Sequence, residues 1–210
     1  MQNQETNMNQ ILTCIIYTQN SCLFEDEPAR FVTKIQGDVI LLNEFDEEIV
    51  AGKVKYFFIN TMAVDCGPDY LLDLVSNTEP FIGEIYRPNS FEFKKKIENL
   101  SEFGIYNTNL LILDRLEILP EFRGNDYSRR IIDDGIKNFG SNAGLMALKA
   151  FPLQLEYHDE NKLQDDWNKR MNIDRTDKDE KKAFTKLISY YRKLGFKKIN
   201  KNNIMVKPIE

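Results

Sequence analysis

The residues with the clearest chemical potential lie between Leu116 and Ser128. An apolar run containing Leu116, Ile118 and Leu119 stops at Pro120, which has no N–H for a sheet ladder, and Arg123-Gly124-Asn125-Asp126-Tyr127-Ser128 follows. That order predicts a strand, a short turn and a helix start. Several backbone N–H groups without intrahelical partners would then point the same way. The positive end of the helix dipole lies there, and Arg123, Arg129 and Arg130 crowd the same turn, so the segment is a candidate site for a phosphate or pyrophosphate. The plain alternative is a helix start whose arginines sit in solvent.

Other chemistries fall to inventory. His158 is the only histidine, so a zinc site built on two or three histidines is impossible and a Ser-His-Asp triad has a single candidate base. The polar run Glu156-Tyr157-His158-Asp159-Glu160 reads as solvated loop. No G-x-x-x-x-G-K-[ST], G-x-G-x-x-G or G-x-S-x-G occurs. The expected site holds no metal and no dinucleotide. Cys14, Cys22 and Cys66 are odd in number and lack C-x-x-C spacing, which suits buried thiols in a reducing compartment.

The elements that position the turn follow from hydrophobic patterning. Residues 11–17, 31–35, 39–42 and 109–119 read as strands, and alternation from Val50 to Phe58 predicts a hairpin with the strand before it. Helical spacing falls in two pieces: Tyr70, Leu71, Leu74 and Val75 share one face, and Phe93, Ile97 and Leu100 share another, the second with Ser90 as N-cap. Lys94, Lys95 and Lys96 read as the solvated side of that second helix. A helix from about Asp126 carries Ile131, Ile132, Gly135, Ile136 and Phe139 on its stripe and stops at Gly140. Residues 145–150 form a strand, and 204–206 a last one. A helix over 180–194 places Phe184, Leu187, Ile188 and Tyr191 inward. Residues 151–179 are a charged excursion or lid.

With 210 residues and 42% hydrophobic side chains, the chain is read as one α/β (α+β) domain over 1–210. Lys and Arg number 28 against 33 Asp and Glu, a net charge of -5, which lacks the electrostatic footprint of a nucleic-acid binder. An acidic chain modestly favours cationic partners. No run approaches the ~18 apolar residues of a membrane span, and the amino-terminal residues show no secretory pattern, so no membrane partner and a cytoplasmic location are expected.

The turn resembles the acetyl-CoA-binding motif of the GNAT superfamily of N-acetyltransferases, in which strand-Pro-x-[FY]-Arg-Gly leads into [RQ]-x-x-G-x-[GA]. Here the pattern reads Arg123-Gly124-Asn125-Asp126-Tyr127-Ser128. A second family signature, [FY]-Y-x-K-L-G-F, is matched by Tyr190-Tyr191-Arg192-Lys193-Leu194-Gly195-Phe196. The resemblance is sharpest over 109–139 and 180–206. It implies a mixed, mostly antiparallel sheet of six to seven strands flanked by helices, splayed where the cofactor enters. It implies acetyl-CoA as cofactor and transfer of its acetyl group to the amine of a small molecule or protein, by a monomer or homodimer.

Carried over residue by residue, the backbone of Ile118 and Leu119 would pair with the pantetheine arm. Arg123 and the amides of Gly124, Asn125, Asp126, Tyr127, Ser128 and Arg129 would hold the pyrophosphate. Tyr191 would protonate the departing thiolate; the alternative is that it is only a core-facing aromatic. An amine acceptor needs a base, for which Glu117 is favoured over Asp114, the two lying on opposite faces of a regular strand. The alternative is a salt bridge from either carboxylate to Arg115. Asp126 stands where the family favours Gly and Ser128 where it favours Gly or Ala. A carboxylate there points to weakened cofactor binding, or to a helix cap with the side chain turned inward. A coenzyme A-binding or regulatory module without turnover is the second implied function.

Overall fold

The β-branched and aromatic segments of the amino-terminal part form three long strands, β1 (Ile11–Asn20), β2 (Val32–Leu42) and β3 (Glu48–Ile59), joined as antiparallel neighbours. The expected hairpin is β2–β3. The polar Gln36-Gly37-Asp38 interrupts the apolar run in sequence, but β2 passes through it unbroken. This computed structural model describes residues 11–23, 28–43, 45–64, 67–71, 78–155, 166–171 and 179–209. Cys66, His158, Leu74 and Val75 lie outside them, as does much of the charged excursion.

Four further strands complete one seven-stranded sheet in the order β1-β2-β3-β4-β5-β7-β6: β4 (Leu110–Ile118), β5 (Leu145–Lys149), β6 (Lys197–Lys198) and β7 (Ile204–Pro208). Only β4 and β5 run parallel. Leu110 to Leu113 and Leu145 to Leu148 are all buried, as expected of strands covered on both faces. One face packs Leu111, Leu113, Met146 and Leu148 against Ile131 and Ile132 of α3 (Tyr127–Phe139), with Leu187 and Tyr191 of α5 (Glu180–Lys193) at its margin. The other packs Leu110, Ile112, Leu145 and Ala147 against Phe81, Ile82 and Ile85 of α1 (Glu79–Ile85) and Ile97 of α2 (Lys95–Glu98). A short α4 (Asp166–Met171) lies within the excursion.

One helical expectation needs correction, and another, with Leu74 and Val75, lies partly outside the described residues. Residues 68–71 form a single 3-10 turn, and α1 follows at residues whose stripe of Phe81, Ile82 and Ile85 was overlooked. Around Ser90 the chain makes a turn instead of a cap: Ser90 Oγ accepts from the Glu92 amide at 3.0 Å. Phe93 then stacks on Tyr86, and the helix starts only after Lys94. Lys95 and Lys96 are exposed, with Lys96 paired to Glu84 at 3.0 Å, as expected of a solvated face. Among the described residues no helix is long and apolar enough to cross a membrane. Nor, among them, does any group of His, Cys, Asp and Glu gather that could hold a metal ion.

Candidate functional site

The site is set by how β4 leaves its neighbour. β4 and β5 pair from Leu110 with Leu145 to Leu113 with Leu148. Beyond Leu113, β4 continues to Ile118 against β3 alone, and a gap opens on its β5 side. At the same point β4 bulges: Tyr56 faces Leu113 and Lys55 faces Arg115, leaving Asp114 as the extra residue. A one-residue insertion reverses the strand's phase. Leu116 and Ile118 therefore pack on the α3/α5 face with Leu113, as an inward pair. The opposite-face expectation for Asp114 and Glu117 fails for the same reason. Asp114 reaches Lys55 Nζ at 2.7 Å, on the face that also carries Arg115 and Glu117.

The gap is the mouth of a cleft of about 570 Å³. One wall is β4 from Leu113 to Ile118, the second is the turn after it, and the third is α5 with Lys186, Leu187, Tyr190 and Tyr191. An antiparallel ladder alternates groups toward and away from its partner. Leu119 N–H donates to Ala51 O at 2.9 Å, so the backbone groups of Ile118 and Leu116 turn toward the gap. The Leu119 carbonyl accepts from the Phe122 amide at 2.9 Å, so both of its backbone groups are bonded within the chain. Ile118 O accepts from Arg123 Nε, also at 2.9 Å. The edge presented to a ligand is thus the Leu116 peptide groups and the Ile118 amide. Leu116 was missed because only the bulge fixes which way its backbone faces.

The turn reaches the helix through two left-handed residues, Gly124 at φ +90° and Asp126 at φ +57°. A side chain at φ > 0 is strained unless it is Gly, Asn or Asp, which accounts for the types tolerated here. Asp126 does not cap α3 with its side chain; the carboxylate pairs with Arg129 Nε at 3.2 Å. The first intrahelical bond runs from the Arg130 amide to Asp126 O at 3.3 Å, leaving the helix-start amides at the cleft. Arg123, Gly124, Asp126, Tyr127 and Ser128 line the cleft, whereas Asn125 and Arg129 stand outside it. Its charged lining is Arg115, Arg123, Lys149 and Lys186 against Asp114 and Asp126, so the cleft is cationic on an acidic chain. Lys186, one helical turn before Tyr190, was a signal available in the sequence and not used.

Tyr191 both lines the cleft and packs against aromatic neighbours, with ring centroids 5.6 Å from Tyr190 and 5.8 Å from Phe196. Burial, and next the neighbouring Tyr190, hold its phenol above the ordinary value near 10.0. It stays protonated across the physiological range. Helix α5 is fixed at its start by Asp179, whose side chain accepts from the Lys182 amide at 3.1 Å.

Glu117 does not sit in this cleft. It is 6% exposed on the far side of β4, with one oxygen on Arg115 Nε and the other accepting from Trp167 Nε1 at 2.7 Å. The salt-bridge alternative is the one found, with an indole added. Trp167 belongs to α4, so this hydrogen bond pins part of the charged excursion to β4. Compared with known proteins, the chain is matched by no family model, no curated protein and no solved structure.

Proposed function

We propose that the chain is an acetyl-CoA-dependent N-acetyltransferase. The observation that carries this reading is the parting of β4 from β5 at the Asp114 bulge, which opens a cationic cleft between a β-edge, a helix-start turn and Tyr191. The residues present fit the cofactor in kind. A strand edge with turned-out peptide groups suits an amide-bearing arm, and a left-handed turn into a helix start with Arg123 suits a pyrophosphate. Acetyl-CoA would supply the thioester whose acyl carbon an amine attacks.

In that reaction a C–N bond forms and the C–S bond breaks; one proton leaves the amine and one is needed by the sulfur. Tyr191 is the donor for the second, since its phenol is protonated and the residue lines the cleft. For the first, neither carboxylate is free: Lys55 holds Asp114, and Glu117 has both oxygens bonded. Among the described residues, neither of these two carboxylates is placed to take the amine's proton directly, so water is the acceptor in this reading.

A second reading, a coenzyme A-binding module without turnover, draws support from the Asp126 carboxylate at the cleft and from the engagement of both Asp114 and Glu117 with other side chains. Thiol release over an amine panel separates the two. Turnover with any amine supports the transferase, and binding without release supports the module.

A further inference from the structure

On the face of the sheet that carries Arg115 and Glu117, the apolar cluster beneath α1 and α2 ends at Phe57 and Ile112. Strand register orders what lies beyond. Gln36, Lys55 and Arg115 form one row across β2, β3 and β4, and Asp38, Lys53 and Glu117 form the next. These six residues line a groove of about 370 Å³ that meets the acetyl-CoA cleft at Arg115, a residue common to both.

The acids of this face are largely spent beneath its surface. Glu117 is 6% exposed and bonded to Arg115 and Trp167, and Asp114 lies against Lys55. The cations face outward. Lys53 is exposed, its ammonium lies 4.5 Å from the Trp167 ring centroid, and it has no carboxylate partner among the described residues. Lys34 extends the cationic surface where a second hollow continues past Lys55. Among the residues lining the groove, Asp38, opposite Lys53 in register, is the acid exposed at the surface. A chain of net charge -5 thus presents a locally cationic groove beside its reactive cleft.

We propose that this groove receives the amine acceptor and that the acceptor carries an anionic group, a carboxylate or a phosphate, held by Lys53 and Arg115. The proposal rests on the acetyl-transfer reading and departs from the modest preference for cationic partners drawn from net charge. Glu117 then acts as a positioning residue: it fixes the Arg115 guanidinium at the seam and holds Trp167 under the Lys53 ammonium. A preset cation loses little freedom when it meets an anion, and a carboxylate or phosphate accepts charge-assisted hydrogen bonds from it.

The test titrates the isotope-labelled full chain with β-alanine, β-alanine amide, phosphoethanolamine and putrescine, reading backbone amide resonances by NMR. β-Alanine, phosphoethanolamine or both should shift Lys53, Lys55 and Arg115 saturably; the amide and putrescine should bind about tenfold more weakly or not at all. Which anionic probe binds tells carboxylate from phosphate. Lys53→Glu should weaken the anionic probe by about tenfold, and Asp38→Asn should tighten it about two- to threefold. Equal shifts with the amide, shifts confined to other residues, or affinity indifferent to Lys53→Glu would overturn the proposal.

Acetyl-CoA binding, measured separately by calorimetry, keeps the two claims apart. A chain that binds acetyl-CoA but acetylates only putrescine refutes the acceptor class alone. A chain that takes the anionic probe in this groove but not acetyl-CoA refutes the transferase reading alone.

Discussion

Replacing Asp126 by Gly tests the turn most sharply, because strain, charge and capping predict different outcomes there. Asp126 holds φ +57° and its side chain accepts no capping hydrogen bond from an α3 backbone amide, so its removal costs no cap. Relief of the left-handed conformation contributes about 1 kcal/mol. It is offset by the roughly 0.5–1 kcal/mol of added chain freedom and by a few tenths for the exposed pair with Arg129. Stability should stay nearly unchanged. Affinity should not. A carboxylate ~4 Å from a phosphate costs up to about 4 kcal/mol at a surface dielectric. The Arg129 guanidinium 3.2 Å away and physiological salt reduce this to about 1 kcal/mol, or roughly fivefold in Kd. Calorimetric titration of acetyl-CoA into wild type, Asp126→Gly and Asp126→Asn checks it; Asn removes the charge while tolerating the conformation. Both variants should tighten binding, more at low salt. Weaker binding by both would show that the carboxylate helps hold the ligand, refuting the charge argument.

Arg123→Glu should weaken acetyl-CoA by about tenfold or more with Tm little changed, since it reverses charge at the cleft and, among the described residues, breaks one side-chain hydrogen bond, to Ile118 O; calorimetry and a melt report both. Tyr191→Phe keeps the ring contacts and should lower kcat by about 10² to 10⁴ with little change in acetyl-CoA affinity. Because its phenol titrates above the ordinary value, the wild-type rate should show no alkaline fall from this residue below pH ~10. Glu117→Ala leaves Trp167 Nε1 and Arg115 without their carboxylate and should cost about 2 kcal/mol by chemical denaturation. Gly135→Ala would place a Cβ 2.5 Å from the Tyr56 hydroxyl and should destabilise α3 by about 1–3 kcal/mol.

The strand-turn-helix from Leu110 to Phe139 was legible because each boundary carries a local signal: the β-branched and leucine run, Pro120, Gly124 and the α3 stripe. So was α5, from its apolar spacing and Gly195. What the sequence hid depends on contacts between strands. The Asp114 bulge is set by the register of β4 against β3, and no residue type in Leu113-Asp114-Arg115 announces it. Without the bulge, strict alternation puts Asp114 and Glu117 on opposite faces and suggests Glu117 as a base; with it, both join the cationic face. Trp167 closes on Glu117 from 50 positions away, beyond any local pattern. Asp126 was ambiguous between cap and anion repellent, and its backbone dihedral removed the cap. The two-residue β6, Lys197–Lys198, is too short to have a period.

The most direct test of the central claim is a calorimetric titration of the wild-type chain with acetyl-CoA, repeated with added salt and paired with a thermal melt. The cleft predicts saturable binding at one site, weakened by salt because Arg123, Lys149 and Lys186 line it. Stability should rise by about 2.7 kcal/mol once the ligand is a hundredfold above its Kd. No saturable heat, together with no shift in Tm at millimolar acetyl-CoA, would contradict the account.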